Sequence, residues 1–435
     1  MDRTAHSHAV ELRPVGRPRR AGRRVRVEAA LDAIAEGARV YFSPICSVPV
    51  ALLDAMARDA DRWRELTLVT DYLIEPVAPF AHAGAPFRLI SLQPTPATEA
   101  MRRAGVMQTI SASYGQYVSH LQPGGAVAVD VALVQVSLPG PDGRVSLGVG
   151  GGVTAELIGR VPLVIAEVNP AMPYTFGASE FELTDFDLLV EVEHPLVELR
   201  VPAPDDVALA IGAHAASQVP DGACLEFGIG AIPEAVLAAL SGRTDLGLHG
   251  GMISDAVVSL AASGALSGRR KSVDAGLHVG AGVVGTRRVF DWVHRNPDVF
   301  VVGSSYSHGI CDLARQERFT AINSAIEVAC DGSVNAEVAG STVLSGPGGQ
   351  PDFALGANLA PGGISLLTLR STAAGGSVSR IVAELPATSP TTLARYLVDR
   401  VVTEFGVANL KGRSPQQRRE ALRAVAHPDH RDALG

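Results

Sequence analysis

The chain has 435 residues, of which 47% are hydrophobic and 19% are charged. This composition supplies the apolar side chains for large buried cores and excludes a disordered or low-complexity protein. The formal net charge of −8 argues against a general nucleic-acid-binding protein, which would be basic. No apolar run approaches the roughly 20 residues that a membrane helix needs, so we expect neither nucleic acid nor a membrane among the partners.

The N-terminal segment and the cysteines indicate a cytoplasmic protein. The first 26 residues contain eight arginines and no apolar stretch, so they cannot be a secretory signal. We predict a disordered basic leader over residues 1–26, with a weak phosphate-binding arm as the alternative. The cysteines are far apart and form no CxxC pair, which argues against zinc and disulfide frameworks and fits a reducing cytosol.

From residue 27 onwards, helix and strand patterns alternate. Helical spacing over 27–37 ends at Gly37, and a strand over 38–42 and a helix over 50–60 follow. Further runs rich in Val, Ile and Leu are typical of buried strands, at 66–74, 87–92, 127–138, 161–168 and 186–199. This alternation predicts βαβ units with a parallel sheet, in an N-terminal α/β domain over residues 27–200.

A break follows at 201–206, where two prolines precede two aspartates. Asp205 or Asp206 is expected to cap the next helix, over 208–219. The alternation then restarts in a C-terminal α/β domain over residues 205–435. Its predicted elements are a helix over 233–242 and strands over 224–227, 246–252, 299–305, 364–369 and 379–385.

The strongest local signal is the sequence GIGAIPEAV, which begins at Gly228 directly after the strand 224–227. Its glycines allow a tight turn and a close approach to a ligand, and Pro233 suits the first position of a helix. The free N–H groups at the start of that helix favour an anion or a developing oxyanion. The third glycine of a dinucleotide-binding fingerprint is missing, so a simple strand-to-helix turn is the alternative.

Two further glycine-rich segments are candidates for ligand contact. The sequence SGPGGQPDFALGA over 345–357 indicates a polar loop whose backbone touches a ligand, with an ordinary surface loop as the alternative. The sequence LPGPDGRVSLGVGGG over 138–152 follows an apolar strand. We predict that it forms the opposite wall of a cleft between the two halves, because such clefts are favoured ligand sites.

Together these segments resemble the acetyl-CoA hydrolase/transferase family, which includes 4-hydroxybutyrate and acetate CoA-transferases. The motifs GIGAIPEAV, LGLHGGMISDAVVSL, INSAIEV, SGPGGQPDF, GGSVSRIV and VVTEFGVANLKG follow one another in the family's order and spacing. In the first half, VSLPGPDGRVSLG, AEVNPAMPYTFG and DLLVEVEHPL match as well. The resemblance covers residues 27–432. It implies an α/β protein of two NagB-like domains, each a mainly parallel sheet flanked by helices, with an acyl-CoA site in the cleft between them.

The resemblance also implies which residues contact CoA. The turn and the glycine-rich loop would contact CoA and the thioester carbonyl through Gly228, Ile229, Gly230, Ala231, Ile232, Gly346, Gly348, Gly349 and Gln350. Arg380 is a candidate phosphate partner, because a guanidinium binds phosphate through two hydrogen bonds. A surface arginine is the alternative.

The sequence departs from the family at its catalytic residue. Family transferases carry a glutamate in a His-x-Glu-Met segment, and its carboxylate attacks the thioester and becomes a glutamyl-CoA thioester. The resemblance places this nucleophile at Gly251, in the segment His249-Gly250-Gly251-Met252. Glycine has no side chain with which to form an anhydride, so the covalent route is not expected at this position.

Three consequences stay open. First, a base beside Gly251 could activate water. His249 shares a strand face with Gly251, and the unperturbed pKa of a histidine, about 6.5, suits a base; a packing or positioning role is the alternative. Second, Glu226, two residues before Gly228, could act as a substitute nucleophile or base, with a hydrogen-bonded strand carboxylate as the alternative. Third, the protein could bind acyl-CoA without turnover, or be the degenerate subunit of a hetero-oligomeric CoA-transferase.

The sequence therefore predicts an enzyme that acts on a small acyl-CoA thioester, with hydrolysis favoured over glutamyl-CoA-dependent transfer. Coenzyme A thioester is expected as substrate, with no permanently bound cofactor. A small carboxylate is a further candidate partner, and the resemblance suggests a homodimer. His278, His294 and His308 show no ligand spacing, so no metal site is predicted.

Overall fold

The computed structural model describes residues 22–80 and 86–435, which fold into two compact units. The first unit contains the described residues up to Leu199 together with Val279–Ser307, and the second contains Arg200–His278 and His308–Gly435. Most of the predicted basic leader, residues 1–21, lies outside the described residues. None of the helices within the described ranges is long and apolar enough to cross a membrane.

The secondary structure alternates along both units. Up to residue 199 the elements are β1 (Arg23–Arg24), α1 (Val27–Leu31), β2 (Arg39–Phe42), α2 (Val50–Arg58), β3 (Leu66–Thr70), β4 (Phe87–Ser91), α3 (Glu99–Arg103), β5 (Met107–Thr109), α4 (Tyr114–Leu121), β6 (Val131–Val136), β7 (Arg144–Ser146), α5 (Gly152–Leu157), β8 (Leu163–Val168), β9 (Phe176–Gly177), β10 (Glu180–Glu182) and β11 (Leu188–Glu191). From residue 200 they are α6 (Asp206–Ser217), β12 (Cys224–Phe227), α7 (Ala231–Ala239), β13 (Gly247–Ile253), α8 (Asp255–Ala262), β14 (His278–Val283), α9 (Arg287–Val293), β15 (Val299–Val301), α10 (Ser304–Ser307), α11 (Ile310–Ala314), β16 (Phe319–Ser324), β17 (Glu327–Ala329), β18 (Val334–Asn335), β19 (Val338–Ala339), β20 (Thr342–Val343), α12 (Gln350–Leu359), β21 (Ile364–Thr368), β22 (Thr372–Ala373), β23 (Val378–Ser379), β24 (Ile381–Val382), β25 (Arg400–Thr403), β26 (Gly406–Asn409) and α13 (Pro415–Val425).

The first unit is built on an eight-stranded sheet in the order β1-β11-β8-β6-β2-β3-β4-β5. All of its neighbouring strands run parallel. Along β6, Val131 and Leu133 join one buried cluster, whereas Ala132 and Val134 join another. Both faces of the sheet are therefore covered, which is why its strands are continuous apolar runs rather than alternating ones. The predicted α/β fold with mainly parallel sheets is confirmed.

The second unit contains the strand order β26-β25-β21-β16-β12-β13. Its strands pair in parallel except for β25 with β26. The first helix, α6, is capped by Asp205, whose carboxylate accepts a hydrogen bond of 3.0 Å from the backbone N–H of Ala208. Of the two aspartates that the sequence offered as caps, the structure selects Asp205.

The structure corrects several predicted elements. The helix predicted over 27–37 ends at Leu31, and the predicted strand over 379–385 is only the two short strands β23 and β24. Helix α7 begins at Ala231, so Pro233 is its third residue rather than its first. This is tolerated because the N–H groups of the first turn have no acceptor within the helix.

The predicted loop over 345–357 is wrong for most of its length. Helix α12 begins at Gln350, after Gly349, with Pro351 in its first turn. A proline has no N–H to donate and its fixed φ suits the start of a helix, so the Gly-Gly-Gln-Pro sequence starts a helix instead of extending a loop.

The segment Val279–Ser307 belongs to the first unit, although the alternation of the sequence predicts it within the C-terminal domain. Gly282 and Gly303 form bridges to Gly150 and Gly152, and β15 pairs in parallel with β9. Local patterns identify these strands but carry no information about which residues they pair with.

The described end of the predicted leader is also ordered, because Arg23 and Arg24 pair with Leu188 and Leu189.

Candidate active site

The strand order of the second unit reverses between two neighbouring strands, β12 and β16. The chain leaves β12 for β13 on one side and leaves β16 for β21 on the other. In open α/β sheets, ligands bind at the carboxyl ends of the strands at such a reversal. The topology therefore supports a ligand site at this edge of the second unit.

The turn after β12 presents backbone groups at this edge. The N–H of Gly228 donates to the carbonyl of Ile322 on β16 at 3.2 Å, which fixes the start of the turn. Gly230 has a φ of +131°, a conformation that a residue with a side chain rarely adopts. Ala231 and Ile232 form the first turn of α7, where N–H groups have no acceptor within the helix. This geometry suits binding of an anion or an oxyanion.

Glu226 is the ionisable side chain that β12 brings to this edge. It is only 2% exposed, and its Oε2 accepts a hydrogen bond of 2.8 Å from the Nδ2 amide of Asn323. The backbone of Glu226 is paired with Ala321, so its carboxyl bonds to a residue two positions nearer the carboxyl edge. Burial raises the pKa of Glu226 to about 8, against the lowering effect of the Asn323 hydrogen bond. The carboxyl therefore points towards the edge and titrates close to neutral pH.

The two adjacent glycines of β13 have different surroundings. A Cβ at Gly250 would lie 3.1 Å from Cγ of Glu226, so the missing side chain leaves room for the glutamate. A Cβ at Gly251 would lie 3.7 Å from the ring of His308 and 3.8 Å from that of Phe353, which are ordinary contact distances. Gly251 is also partly exposed. The position can accept a side chain, and the fold does not demand glycine there.

His249 lies deeper in the unit than the two glycines. It is fully buried, and the Nε2 amide of Gln316 lies 3.4 Å from its Nδ1. The same amide group holds the backbone of Val273, to which it donates at 3.1 Å and from which it accepts at 3.2 Å. These contacts favour the positioning or packing role for His249 over that of a base.

The Gly-Gly-Gln segment contacts His308, a histidine without metal-ligand spacing in the sequence. The ring of His308 packs against Phe353 of α12 with 4.3 Å between ring centroids, and a Cβ at Gly349 would collide with the same imidazole. Burial lowers the pKa of His308 to about 3, so its ring is neutral. Gly349, His308 and Phe353 thus form an uncharged wall that faces the side-chain position of Gly251.

Arg380 lies between β23 and β24. Its backbone N–H donates to Ser371 and its carbonyl accepts from Val328. Burial lowers the pKa of its guanidinium, and its Nε has no hydrogen-bond partner within residues 22–80 and 86–435.

Within the same ranges, no group of three or more His, Cys, Asp or Glu side chains is placed to hold a metal ion.

The glycine-rich segment 138–152 of the first unit turns back on itself. Its strand β7 pairs with β10 in an antiparallel arrangement. Gly152 has a φ of +55°, and a Cβ there would collide with the hydroxyl of Tyr114. The glycine is therefore required by packing within the first unit. That this segment lines a ligand site stays a prediction.

Comparison with known proteins decides the family. Residues 23–191 match the acetyl-CoA hydrolase/transferase N-terminal domain, and residues 285–435 match the acetyl-CoA hydrolase/transferase C-terminal domain. The chain belongs to the acetyl-CoA hydrolase/transferase family. It is an enzyme of the CoA-transferase and acetyl-CoA hydrolase type, as the sequence predicted.

Individual relatives agree with this family. A 4-hydroxybutyrate coenzyme A transferase of Clostridium kluyveri is 37% identical over 412 residues, which cover 94% of this chain and 96% of that protein. The structure of a 4-hydroxybutyrate CoA-transferase from Porphyromonas gingivalis matches with a TM-score of 0.79 and 31% identity, covering 95% and 96% of the two chains. The structure of RipA from Yersinia pestis matches with a TM-score of 0.87 and 29% identity, covering 94% and 95%.

Sequence reasoning missed two residues of this family member's candidate site. Asn323 occurs in the INSAIEV motif, but its contact with Glu226 joins residues that are 97 positions apart. His308 shows no metal-ligand spacing, and its contact with Gly349 joins residues that are far apart in the sequence. The available signal was topological, because residues at the ends of neighbouring parallel strands meet at one edge of the sheet.

Proposed function

We propose that this enzyme hydrolyses the thioester of a small acyl-CoA and that Glu226 is the general base. The observation that carries the proposal is the buried Glu226 carboxyl, which points to the carboxyl edge of the sheet and is held there by Asn323 at 2.8 Å. A general base works best when its pKa is near the working pH. The pKa of Glu226, raised by burial to about 8, meets this condition.

Hydrolysis is favoured over transfer because of Gly251. By resemblance to the family, this position corresponds to the glutamate that forms the glutamyl-CoA thioester. Without a carboxylate at 251, that covalent intermediate has no site, whereas a water molecule needs only a base and a polarised carbonyl. The proposal therefore places the attacking water in the space that a side chain at residue 251 would fill.

The proposed reaction uses one water for each thioester. The ionised carboxyl of Glu226 removes a proton from water, and the resulting hydroxide adds to the thioester carbonyl. The developing oxyanion is stabilised by N–H groups of the turn at Gly230 and Ala231. The C–S bond then breaks, and the CoA thiolate takes the proton from Glu226, which restores the ionised carboxyl. The carboxylic acid releases its proton to solvent and leaves as its anion. In this proposal His249 is a positioning residue, in line with its contact with Gln316.

The remaining binding residues follow the family resemblance. In this proposal CoA lies along Gly228, Ile229, Gly230, Ala231 and Ile232 and along Gly346, Gly348, Gly349 and Gln350, with Arg380 on a phosphate group. The cytoplasmic location, the homodimer, the NagB-like character of each domain and the use of a small carboxylate as acceptor also stay proposals. They rest on the resemblance and on the cysteine pattern of the sequence.

A thiol-release assay tests the proposal. The purified protein is incubated with acetyl-, propionyl- or butyryl-CoA without an acceptor carboxylate, and free CoA thiol is measured. Release is expected for the wild type and is expected to fall about 100-fold or more in Glu226→Gln. The control is Glu404→Gln, which changes a carboxylate that accepts hydrogen bonds from the N–H and hydroxyl of Ser371. It should retain the wild-type rate.

Two results would replace this proposal by another. If an added carboxylate is converted to its CoA thioester without release of free thiol, and borohydride traps a modified glutamate, the enzyme is a transferase that uses a substitute nucleophile. If calorimetry detects acyl-CoA binding without thiol release or transfer, the protein is a non-catalytic binder or the degenerate subunit of a larger transferase.

A further inference from the structure

The side chain of Asn323 meets Glu226 where β12 and β16 end. The register pairs Phe227 with Ile322, which places Asn323 level with Gly228, the first residue of the turn. From this position the Nδ2 amide reaches back and donates to Oε2 of Glu226 at 2.8 Å. The amide thus fixes one oxygen of the carboxyl and directs the carboxyl towards the turn.

Asn323 is itself held by its neighbours. The hydroxyl of Thr368 on β21, which is fully buried, donates to the carbonyl of Asn323 at 3.1 Å. The hydroxyls of Thr368 and Ser324 share a hydrogen bond of 3.2 Å, and the Nε2 amide of Gln350 donates to the carbonyl of Ser324 at 3.2 Å. A chain of hydrogen bonds therefore connects the start of α12 with the backbone that carries Asn323.

We infer that Asn323 is a positioning residue for the hydrolysis: it orients the carboxyl of Glu226 and stabilises its ionised form. This inference rests on the proposed role of Glu226 as the base. An amide donor stays neutral over the whole working pH range, so it supports the carboxylate without competing for the proton. A hydrogen bond to the charged form of an acid favours that form, and it leaves Oε1 to take the proton from water.

The elements around Glu226 add few charges. On β16 it is paired with Ala321, and on β13 it packs against Gly250. The register of β12 with β13 pairs Leu225 with Leu248, so His249 is the titratable residue that follows this pair on β13. The pKa of Glu226 is raised by burial and lowered by Asn323. Loss of the amide donor therefore moves the titration to higher pH.

The inference is tested by measuring kcat and KM for acetyl-CoA hydrolysis against pH in Asn323→Leu. A hydrogen bond to a charged group contributes enough that kcat at pH 7 is expected to fall about tenfold to 100-fold, with little change in KM. The rising limb of the pH profile is expected to move to higher pH. Asn323→Ser, whose smaller side chain retains a hydroxyl donor, is the second variant if the leucine variant does not fold.

The matched control is Thr320→Val on the same strand, which removes a buried hydroxyl that donates to the Arg318 carbonyl. It should lower stability and leave the pH profile unchanged, as a merely structural role would. An unchanged kcat and pH profile in a folded Asn323 variant, alongside an inactive Glu226→Gln, overturns the inference alone. A wild type without hydrolysis, or an active Glu226→Gln, overturns the proposed function first.

Discussion

Replacing Glu226 by glutamine is expected to abolish hydrolysis and yet to stabilise the fold. Glutamine has the shape of a protonated glutamate, and its carbonyl oxygen can still accept the hydrogen bond from Asn323. The substitution removes the ionised form, which burial disfavours because the side chain is 2% exposed. The gain in stability should therefore appear only at pH values at which the wild-type glutamate tends to lose its proton.

The size of this gain follows from the pKa difference between the folded and unfolded states. Burial raises the pKa of Glu226 from 4.5 to about 8, so the folded protein retains a proton that the unfolded chain releases. Wild-type stability therefore falls as the pH rises from 4.5 towards 8. At about 1.4 kcal/mol for each pKa unit, the variant is expected to gain about 1 kcal/mol at pH 5 and about 4 kcal/mol at pH 8.

Denaturant unfolding of the wild type and Glu226→Gln at pH 5, 7 and 8 measures this difference. The control Glu404→Gln is expected to lose stability at each pH, because it removes a charge that two donors from Ser371 stabilise. A difference between Glu226→Gln and the wild type that stays constant from pH 5 to pH 8 would contradict a buried, titrating carboxyl. In parallel, kcat of the wild type should rise with pH and level off above about pH 8, since the ionised form is the base.

Three glycine substitutions test other parts of the site. Gly251→Glu should transfer CoA to acetate and yield a borohydride-trapped glutamate, because the position has room for a side chain, which would meet His308 and Phe353 at ordinary distances. Thiol release without any transfer would contradict the alignment of this position with the family's glutamate. Gly230→Ala should destabilise the protein by about 1–3 kcal/mol and weaken CoA binding in calorimetry, because an alanine backbone is strained at a φ of +131°. Unchanged CoA binding would exclude the turn from the CoA site. Gly349→Ala should raise KM for acetyl-CoA and lower the melting temperature, because its Cβ would collide with His308. Wild-type kinetics would show that this segment does not contact the substrate.

The sequence predicted those features of the fold that depend on local patterns. Strand 224–227 has the predicted bounds, and Asp205 caps α6 as one of two predicted alternatives. Parallel sheets follow from apolar runs that alternate with helices, and both units contain them. The start of α12 was mispredicted because four glycines and two prolines outweighed the helical spacing after Gln350.

Contacts between distant parts of the chain could not be predicted in the same way. The assignment of Val279–Ser307 to the first unit depends on bridges between glycines that carry no pattern of their own. The partner of Glu226 lies on β16, and the wall that faces Gly251 comes from His308 and from α12. The sequence offers Glu226 as a candidate because it lies on the strand that enters the turn. Its burial, its direction and its raised pKa are consequences of tertiary packing.

The three glycines of the site differ in what requires them, and this difference bears on the chemistry. Gly230 is required by its backbone angle and Gly349 by the imidazole against which it packs. Gly251 has neither requirement: its φ is not positive, and a Cβ there would meet its neighbours at 3.7 Å or more. Packing therefore gives no reason for a missing side chain at Gly251. In the proposed function the reason is chemical, because a residue without a side chain leaves the place beside the thioester to water.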